Sequence, residues 1–243
     1  MSNFLLGISN MLLYNSIVLI TLLVHILSDF QFQSEKIASL KTTKLIYLLK
    51  HLIIVGLPLI VLVIISPINI MYFLLVWLSH VIIDSTKYSL NTYINKNKLG
   101  RITFIIDQTL HIFCIVYLYY LVGFNDEKLN SVGNILRLIL FFAILGKPVN
   151  IIFKILFSKY QVVENNSGTI AGAGAIIGII ERYIIGICVL LGQYASIGLI
   201  FAAKSVARYN KISENQSFAE YYLIGSLFSI ICVLVTHVVL FML

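Results

Sequence analysis

Histidine and aspartate recur at a fixed spacing in the first half of this 243-residue chain. The set comprises three pairs four residues apart and one single histidine: His25 and Asp29, His80 and Asp84, Asp107 and His111, and His51. Residues four apart on a helix project from the same face, so each pair can direct two side chains at one point. Imidazole and carboxylate groups bind zinc, manganese and iron. The spacing therefore predicts a site for one or two divalent ions, zinc or manganese, with Asp84 and Asp107 as its catalytic carboxylates.

Two other interpretations of these seven residues stay open. His–Asp pairs can fasten transmembrane helices together, at ~1 kcal/mol per pair. Buried ionisable groups can also mark a proton or ion pathway. Fastening predicts scattered depths and mixed polar types, whereas four of the five histidines and three of the four aspartates belong to this set. We expect the remaining histidine, His237, to have a packing or interfacial role.

Further polar residues adjoin the motifs of the first half. Lys87 and Gln108 follow them closely and could contact a substrate or the metal ligands. Lys87 could instead pair with Asp84, three residues earlier on the same helix.

The second half has its own polar residues. Lys204 and Arg208 lie four apart and could bind a phosphate or lipid headgroup, or simply anchor the helix at the cytoplasmic side. Glu181 and Arg182 fall near mid-membrane, where charges need partners. Adjacent residues project ~100° apart on a helix, so these two are not expected to pair with each other. Glu220 could neutralise Lys204 or Arg208.

The elements that must position these residues are membrane helices. The chain is 60% hydrophobic and 11% charged, whereas soluble domains carry about a quarter charged residues. We predict an all-α, polytopic integral membrane protein forming a single membrane domain over 1–243, with the His/Asp cluster in the half 1–125 and the other polar residues in 126–243. About eight transmembrane helices are expected, within a range of six to eight. They are placed at about 5–28, 44–65, 69–89 and 102–122, from near 131, and at 169–190, 193–209 and 219–242, and it stays open whether 193–209 spans fully.

An in-plane amphipathic helix is a further prediction, near 147–158. Lys147, Asn150, Lys154 and Ser158 share one helical face, with apolar residues on the rest. Pro148 suits a first helical turn. A kinked continuation of the preceding helix is the alternative.

The formal net charge of +7 indicates topology here, and no nucleic-acid partner is expected. Basic residues concentrate in four segments, 29–44, 90–101, 147–165 and 204–218, which all fall on one side of the predicted membrane. The connections on the other side, at 66–68, 123–130 and 191–193, contain Lys128 as their one basic residue. The positive-inside rule then puts the basic side in the cytoplasm and both termini outside. All seven His and Asp residues are expected within about two turns of the cytoplasmic surface.

Several motifs carry a resemblance to a known family. The stretches are HILSDFQFQ…K…H, HVIIDSTK and DQTLH. They resemble the bacterial membrane family known as domain of unknown function 3307, and AGAGAIIGIIERYIIG, AAKSVARY and AEYYLIGSLFS look like its second half. The resemblance implies a multi-pass protein of the bacterial inner membrane and implies no activity.

The residues themselves favour a membrane-embedded metal-dependent hydrolase. Its His/Asp site would face the cytoplasm and act on a phosphate-containing membrane lipid or a small phosphoester. One alternative is a divalent-cation or proton-coupled transporter, because cation diffusion facilitators use similar H-x-x-x-D pairs on membrane helices. A second is a non-catalytic metal-binding partner of another membrane protein. Whether the chain forms a homo-oligomer stays open.

Overall fold

The computed structural model describes residues 15–161 and 172–242, and every regular element in these ranges is helical. The α-helices are α1 Ser16–Ile26, α2 Glu35–Leu40, α3 Leu45–Ile65, α4 Ile70–Ser89, α5 Asn91–Lys96, α6 Gly100–Val122, α7 Glu127–Asn130, α8 Gly133–Leu145, α9 Lys147–Leu156, α10 Ala173–Leu190, α11 Tyr194–Ala207, α12 Tyr209–Glu214 and α13 Gln216–His237. Short π-helical turns follow α1 and α13, at Leu27–Phe32 and Val238–Met242, and 3-10 turns lie at Pro67–Asn69 and Ser158–Tyr160.

Six of the helical segments are long and apolar enough to cross a membrane. They are Leu45–Ile65, Pro67–Ser89, Gly100–Val122, Gly133–Leu156, Ala173–Leu190 and Gln216–Met242. Two shorter apolar helical segments, Ser16–Phe32 and Tyr194–Ala207, correspond to the first and seventh predicted helices. Six spans lie within the predicted range of six to eight, and whether the two shorter segments also span stays a prediction. The fold is therefore an all-α, polytopic membrane protein, as predicted.

The first predicted helix differs most from its expected bounds. Residues 5–14 of that prediction lie outside the described residues, as do 169–171 of the sixth helix. The described part begins after Asn15, whose side chain accepts from the amides of Ile17 and Val18. The helix then continues through the π-helical turn Leu27–Phe32, beyond the predicted end at 28. Asp29 is therefore part of this turn instead of a loop.

The described chain divides into two compact units, one ending at Leu140 and the other beginning at Phe141. In the first unit, α4 packs against α3 and α6, and α1 packs against α3 and α6. Their shared apolar core consists of Ile17, Val18, Val55, Leu59, Leu62, Tyr72, Phe73, Val76, Ile115 and Tyr119. Along each of these helices the core lies at one end and the His and Asp residues lie toward the other. The bundle thus has an apolar half and a polar half.

Two local features fix α3 and α4 beside each other. At Gly56 an added Cβ would lie 3.0 Å from the indole nitrogen of Trp77, so glycine lets that ring approach the α3 backbone. The same nitrogen donates to the carbonyl oxygen of Leu52 at 3.2 Å. At the far end, Asn69 bonds the backbone of Phe124 through both ends of its amide. The Trp77 contacts hold α3 against α4, and with them His51 near His80, while the Asn69 bonds hold the start of α4 against the chain that follows α6.

In the second unit, α10 packs against α11 and α13. The helix is interrupted at Gly146, between α8 and α9, and Pro148 lies in the first turn of α9. The Arg182 side chain donates to the carbonyl oxygens of Leu145 at 2.7 Å and Gly146 at 3.2 Å, which satisfies backbone groups left free by the break. The helix Lys147–Leu156 is thus set off from α8 by a kink at Gly146. Because Gly133–Leu156 as a whole is long and apolar enough to cross a membrane, this favours the alternative of a kinked continuation, and an in-plane orientation stays a prediction.

Candidate metal centre

Four donor atoms from three helical segments converge in the polar half of the first unit. The Nε2 atom of His51 lies 3.2 Å from Nε2 of His80, 3.1 Å from Oδ2 of Asp84 and 3.4 Å from Oδ1 of Asp29. The Nε2 atom of His80 lies 3.6 Å from each of the same two carboxylate oxygens. A tetrahedral ion with ligands at ~2.0 Å has donors ~3.3 Å apart. Five of the six donor separations thus suit one tetrahedral cation, and we call Asp29, His51, His80 and Asp84 the four-donor set.

The local sequence explains how each donor reaches this point. His80 and Asp84 lie four apart on α4 and face the same way. Asp29 lies in the π-helical turn that extends α1. His51 comes from the first half of α3 and is fully buried. All four side chains are at most 3% exposed.

Two more histidines flank the four-donor set. The rings of His25 and His111 stack at 5.0 Å, and His111 lies 4.1 Å from the ring of His80. The Nδ1 atom of His111 is 2.8 Å from the backbone oxygen of Asp107, so the imidazole donates there and leaves Nε2 free. That nitrogen is 4.0 Å from the Oδ1 atom of Asp84. Donor atoms of His25, Asp29 and His80 also lie within 4.8 Å of one another, which gives a second ligand group that shares Asp29 and His80 with the four-donor set.

Several buried nitrogen and oxygen atoms of this cluster, which could bind a metal, lack a hydrogen bond within the described structure. They are His25 Nε2, Asp29 Oδ1, both carboxylate oxygens of Asp84, Asp107 Oδ1 and His111 Nε2. A buried carboxylate that lacks well-formed hydrogen bonds is costly, because its lost water is only partly replaced by the nearby Lys41 and His51. A bound cation would compensate this cost. Hard oxygen and imidazole nitrogen donors are the chemistry that zinc and manganese accept.

A layer of lysine and amide groups borders the carboxylates. Lys87 pairs with Asp107 at 2.8 Å, so the alternative in which Lys87 pairs with Asp84 is wrong. The two residues meet across α4 and α6, which spacing along one helix could not reveal. The Gln108 amide donates to Asp29 at 3.0 Å and to Asp107 at 3.2 Å. Lys87 and Gln108 therefore orient carboxylates of the cluster.

Lys41 is the residue that motif spacing missed. It directly follows α2, and its Nζ atom lies 3.0 Å from Nε2 of His51 and 3.7 Å from Oδ2 of Asp84. Burial lowers the pKa of Lys41, but Asp29, Asp84 and Asp107 outweigh burial and raise it above its usual value. The side chain thus stays an ammonium. The sequence offers one signal, a lysine between His25/Asp29 and His51, which by itself also fits a basic cytoplasmic loop.

Two of the histidines lie near the middle of their helices. His80 is at the eleventh position of the 20-residue helix α4, and His111 is at the twelfth of the 23-residue helix α6. Their expected depth, within about two turns of the cytoplasmic surface, stays a prediction. Asp84 and Asp107 lie one turn closer to the basic ends of their helices. A small cavity next to the histidines, lined also by Thr21 and Ser79, lies toward the apolar core.

The predicted residues of the second half belong to the second unit. Glu181 pairs with Lys204 at 2.5 Å, and Lys204 also donates to Ser226 at 3.1 Å. Glu220 is exposed and accepts from its helix neighbour Gln216, so its predicted role as the partner of Lys204 is wrong.

The other residues of that unit have local roles. Arg182 donates to the backbone carbonyl oxygen of Gly146. Glu181 pairs with Lys204 instead, so the two adjacent side chains do not pair with each other, as expected. Arg208 is the residue that follows the last turn of α11. His237 stacks against Phe241 at 5.5 Å, in keeping with a packing role.

Comparison with known proteins gives one match. A family model described as a protein of unknown function (DUF3307) matches residues 17–140, which include all seven His and Asp residues together with Lys41, Lys87 and Gln108. The matched region ends before the three later stretches that resemble the family's second half. Neither curated proteins nor solved structures gave a match. The chain belongs to the DUF3307 family of proteins of unknown function.

Proposed function

We propose that this protein is a membrane-embedded hydrolase of phosphate esters that depends on a divalent metal, zinc or manganese, at the four-donor set. Five donor separations of 3.1–3.6 Å carry the proposal, because they suit a single tetrahedral ion. Because the four donors would fill a tetrahedral ion, a water would have to bind as a fifth ligand. The ion would then lower the pKa of that water toward neutrality and neutralise charge on the substrate's oxygens.

The charges of the cluster favour an anionic substrate. Three buried carboxylates, Asp29, Asp84 and Asp107, face two lysines, Lys41 and Lys87. With neutral histidines the sum is negative by one charge, and one divalent ion would make it positive by one. A singly charged phosphodiester would restore neutrality, and a doubly charged phosphate monoester would return the sum to minus one. The substrate would be a phosphate-containing lipid or a small phosphoester.

The flanking residues can serve a hydrolytic reaction. During hydrolysis a water oxygen forms a bond to phosphorus while the bond from phosphorus to the leaving oxygen breaks. The free Nε2 atom of His111 would accept the water's proton, and the ammonium of Lys87 would give one to the leaving oxygen. Asp107 holds that ammonium at 2.8 Å. Gln108 keeps Asp29 and Asp107 in position.

The site's location follows from the charges of the loops. The carboxylates and lysines lie toward the helix ends that meet the basic segments, which the positive-inside rule assigns to the cytoplasm. We therefore propose a bacterial inner-membrane enzyme whose substrate comes from the cytoplasm or the inner leaflet. Membrane lipid is then its expected partner.

Transport of a divalent cation is the second candidate. It is favoured by the central position of His80 and His111 in their helices, and by the second ligand group, which shares Asp29 and His80 with the four-donor set. An ion could pass between two such groups. A carrier would need the site to open alternately to both sides of the membrane.

One set of measurements separates these functions. Purified protein in detergent is analysed for bound metal and for phosphate release from lipid phosphates and small phosphoesters. The same protein in vesicles that contain a metal-sensitive dye is tested for flux. We expect about one equivalent of metal and metal-dependent phosphate release, both lost in Asp84→Ala and kept in His237→Ala. Flux that Asp84→Ala abolishes would support the carrier instead, and metal without either activity would support a non-catalytic partner.

A further inference from the structure

Lys41 reaches the four-donor set from outside the membrane-spanning helices. Its backbone is held at the end of α2, where its amide donates to the carbonyl oxygen of Ile37 at 2.9 Å. Helix α2 is itself capped at its start by Ser34. The side chain then extends inward and is 9% exposed. A short, capped helix thus places one buried ammonium at the metal ligands.

The ammonium lies beside the donor set and outside its centre. Its distances of 3.0 Å to His51 and 3.7 Å to Asp84 exceed the ~2.0–2.2 Å of a metal ligand. The ammonium therefore lies beside the line that joins His51 Nε2 to Asp84 Oδ2, which is one edge of the tetrahedron formed by the four donors. An additional ligand of a bound ion would approach over such an edge, since catalytic zinc sites can expand to five ligands.

The hydrogen bonds around Lys41 leave it available to an anion. Its contact at hydrogen-bond distance is Nε2 of His51, and this nitrogen would give its lone pair to a bound ion. The Asp84 oxygen at 3.7 Å is beyond hydrogen-bond distance. Lys87 and Gln108, in contrast, already donate to carboxylates at 2.8–3.2 Å. Lys41 therefore has donors to spare once an ion is bound, whereas Lys87 is held by its ion pair with Asp107.

We propose that Lys41 and the bound ion together form a subsite for a tetrahedral phosphoryl group. Lys41 donates to one non-bridging oxygen while a second oxygen contacts the ion. The proposal rests on the proposed function and names the residue that selects its substrate class. An ammonium and a metal ion on neighbouring oxygens stabilise the charge of a phosphoryl group in both the bound and the reacting state.

The test measures anion binding and metal content separately. Protein loaded with cobalt is titrated with inorganic phosphate, and in a second arm with short-chain phosphatidic acid in the same detergent, while the cobalt absorption spectrum is recorded. The variants are Lys41→Gln, Lys41→Arg and Lys36→Gln, the last an exposed lysine of the same helix. We expect Lys41→Gln to keep the metal and bind phosphate about 10- to 100-fold more weakly, because one charge-assisted hydrogen bond is lost. Lys36→Gln should bind as the wild type does, and Lys41→Arg should recover part of the loss.

The outcomes distinguish this proposal from the one on which it rests. If the wild type binds no metal, the proposed function fails. If metal binds and Lys41→Gln binds both phosphates normally, the subsite is wrong and the metal centre stands. If Lys41→Gln loses its metal, Lys41 supports the centre itself and the subsite is again wrong. A weaker response to both phosphates supports the subsite, and the tighter of the two ligands shows whether it takes a lipid headgroup or a soluble phosphate.

Discussion

Replacing His51 with alanine tests the four-donor set most directly. His51 is the single donor from α3, is 0% exposed, and lies 3.1–3.4 Å from the other three donors. Structural zinc sites are worth about 10–16 kcal/mol, so an equal share for each of four ligands is about 2.5–4 kcal/mol. We therefore expect His51→Ala to weaken zinc binding roughly 70- to 900-fold.

The assay is competition against a chelator of known zinc affinity, with the protein in detergent. His237→Ala is the matched control, because it removes the one histidine outside the cluster, which stacks on Phe241 in the second unit. Gln108→Ala gives an intermediate reference, since loss of a group that orients a ligand typically costs 10- to 100-fold. The expected order of zinc affinity is therefore His237→Ala, then Gln108→Ala, then His51→Ala.

The reasoning is refuted if His51→Ala binds zinc as tightly as His237→Ala. The same conclusion follows if the wild type binds none after supplementation. A circular dichroism spectrum of each variant shows whether the helices are kept, so that a loss of zinc is not confused with unfolding.

Three further predictions use other parts of the chain. His25→Ala and His80→Ala, made singly and together, should lower metal content and activity less than additively if both belong to one site, whereas a helix-fastening role predicts additive losses in melting temperature. Lys204→Met should lower the melting temperature in detergent by the equivalent of about 2–4 kcal/mol, because it leaves a buried carboxylate unpaired, and an unchanged melting temperature would contradict this. Cysteine at Lys98 should resist membrane-impermeant thiol reagents in intact cells while cysteine at Asn125 reacts, and the reverse pattern would invert the topology.

Spacing along one helix was the most informative property of the sequence. The pairs His25/Asp29 and His80/Asp84 do face one point, because side chains four apart share a helical face whatever the tertiary structure. Apolar length likewise predicted the membrane helices, since a span needs ~20 apolar residues and little else. Both properties are local, so a single sequence contains them.

Contacts between helices were not available from spacing. Lys87 pairs with Asp107 across α4 and α6, and Lys204 pairs with Glu181 across α10 and α11, although closer acidic residues exist in the sequence for both. Lys41 was missed for a related reason, because its loop predicts a solvated charge while its side chain turns inward. A long lysine side chain can reach any acceptor within several ångströms, so its partner depends on the tertiary fold.

The two halves of the first unit affect its folding free energy in opposite ways. The apolar half supplies the packing, through residues such as Tyr72, Phe73 and Ile115 that are at most 2% exposed. The polar half contains buried carboxylate oxygens without hydrogen bonds, which oppose folding unless a cation joins them. If the cluster only held helices together, we would expect its hydrogen-bond donors and acceptors to be paired with one another. A cluster that remains short of positive charge, next to an ammonium with spare donors, is instead suited to binding first a divalent ion and then an anion.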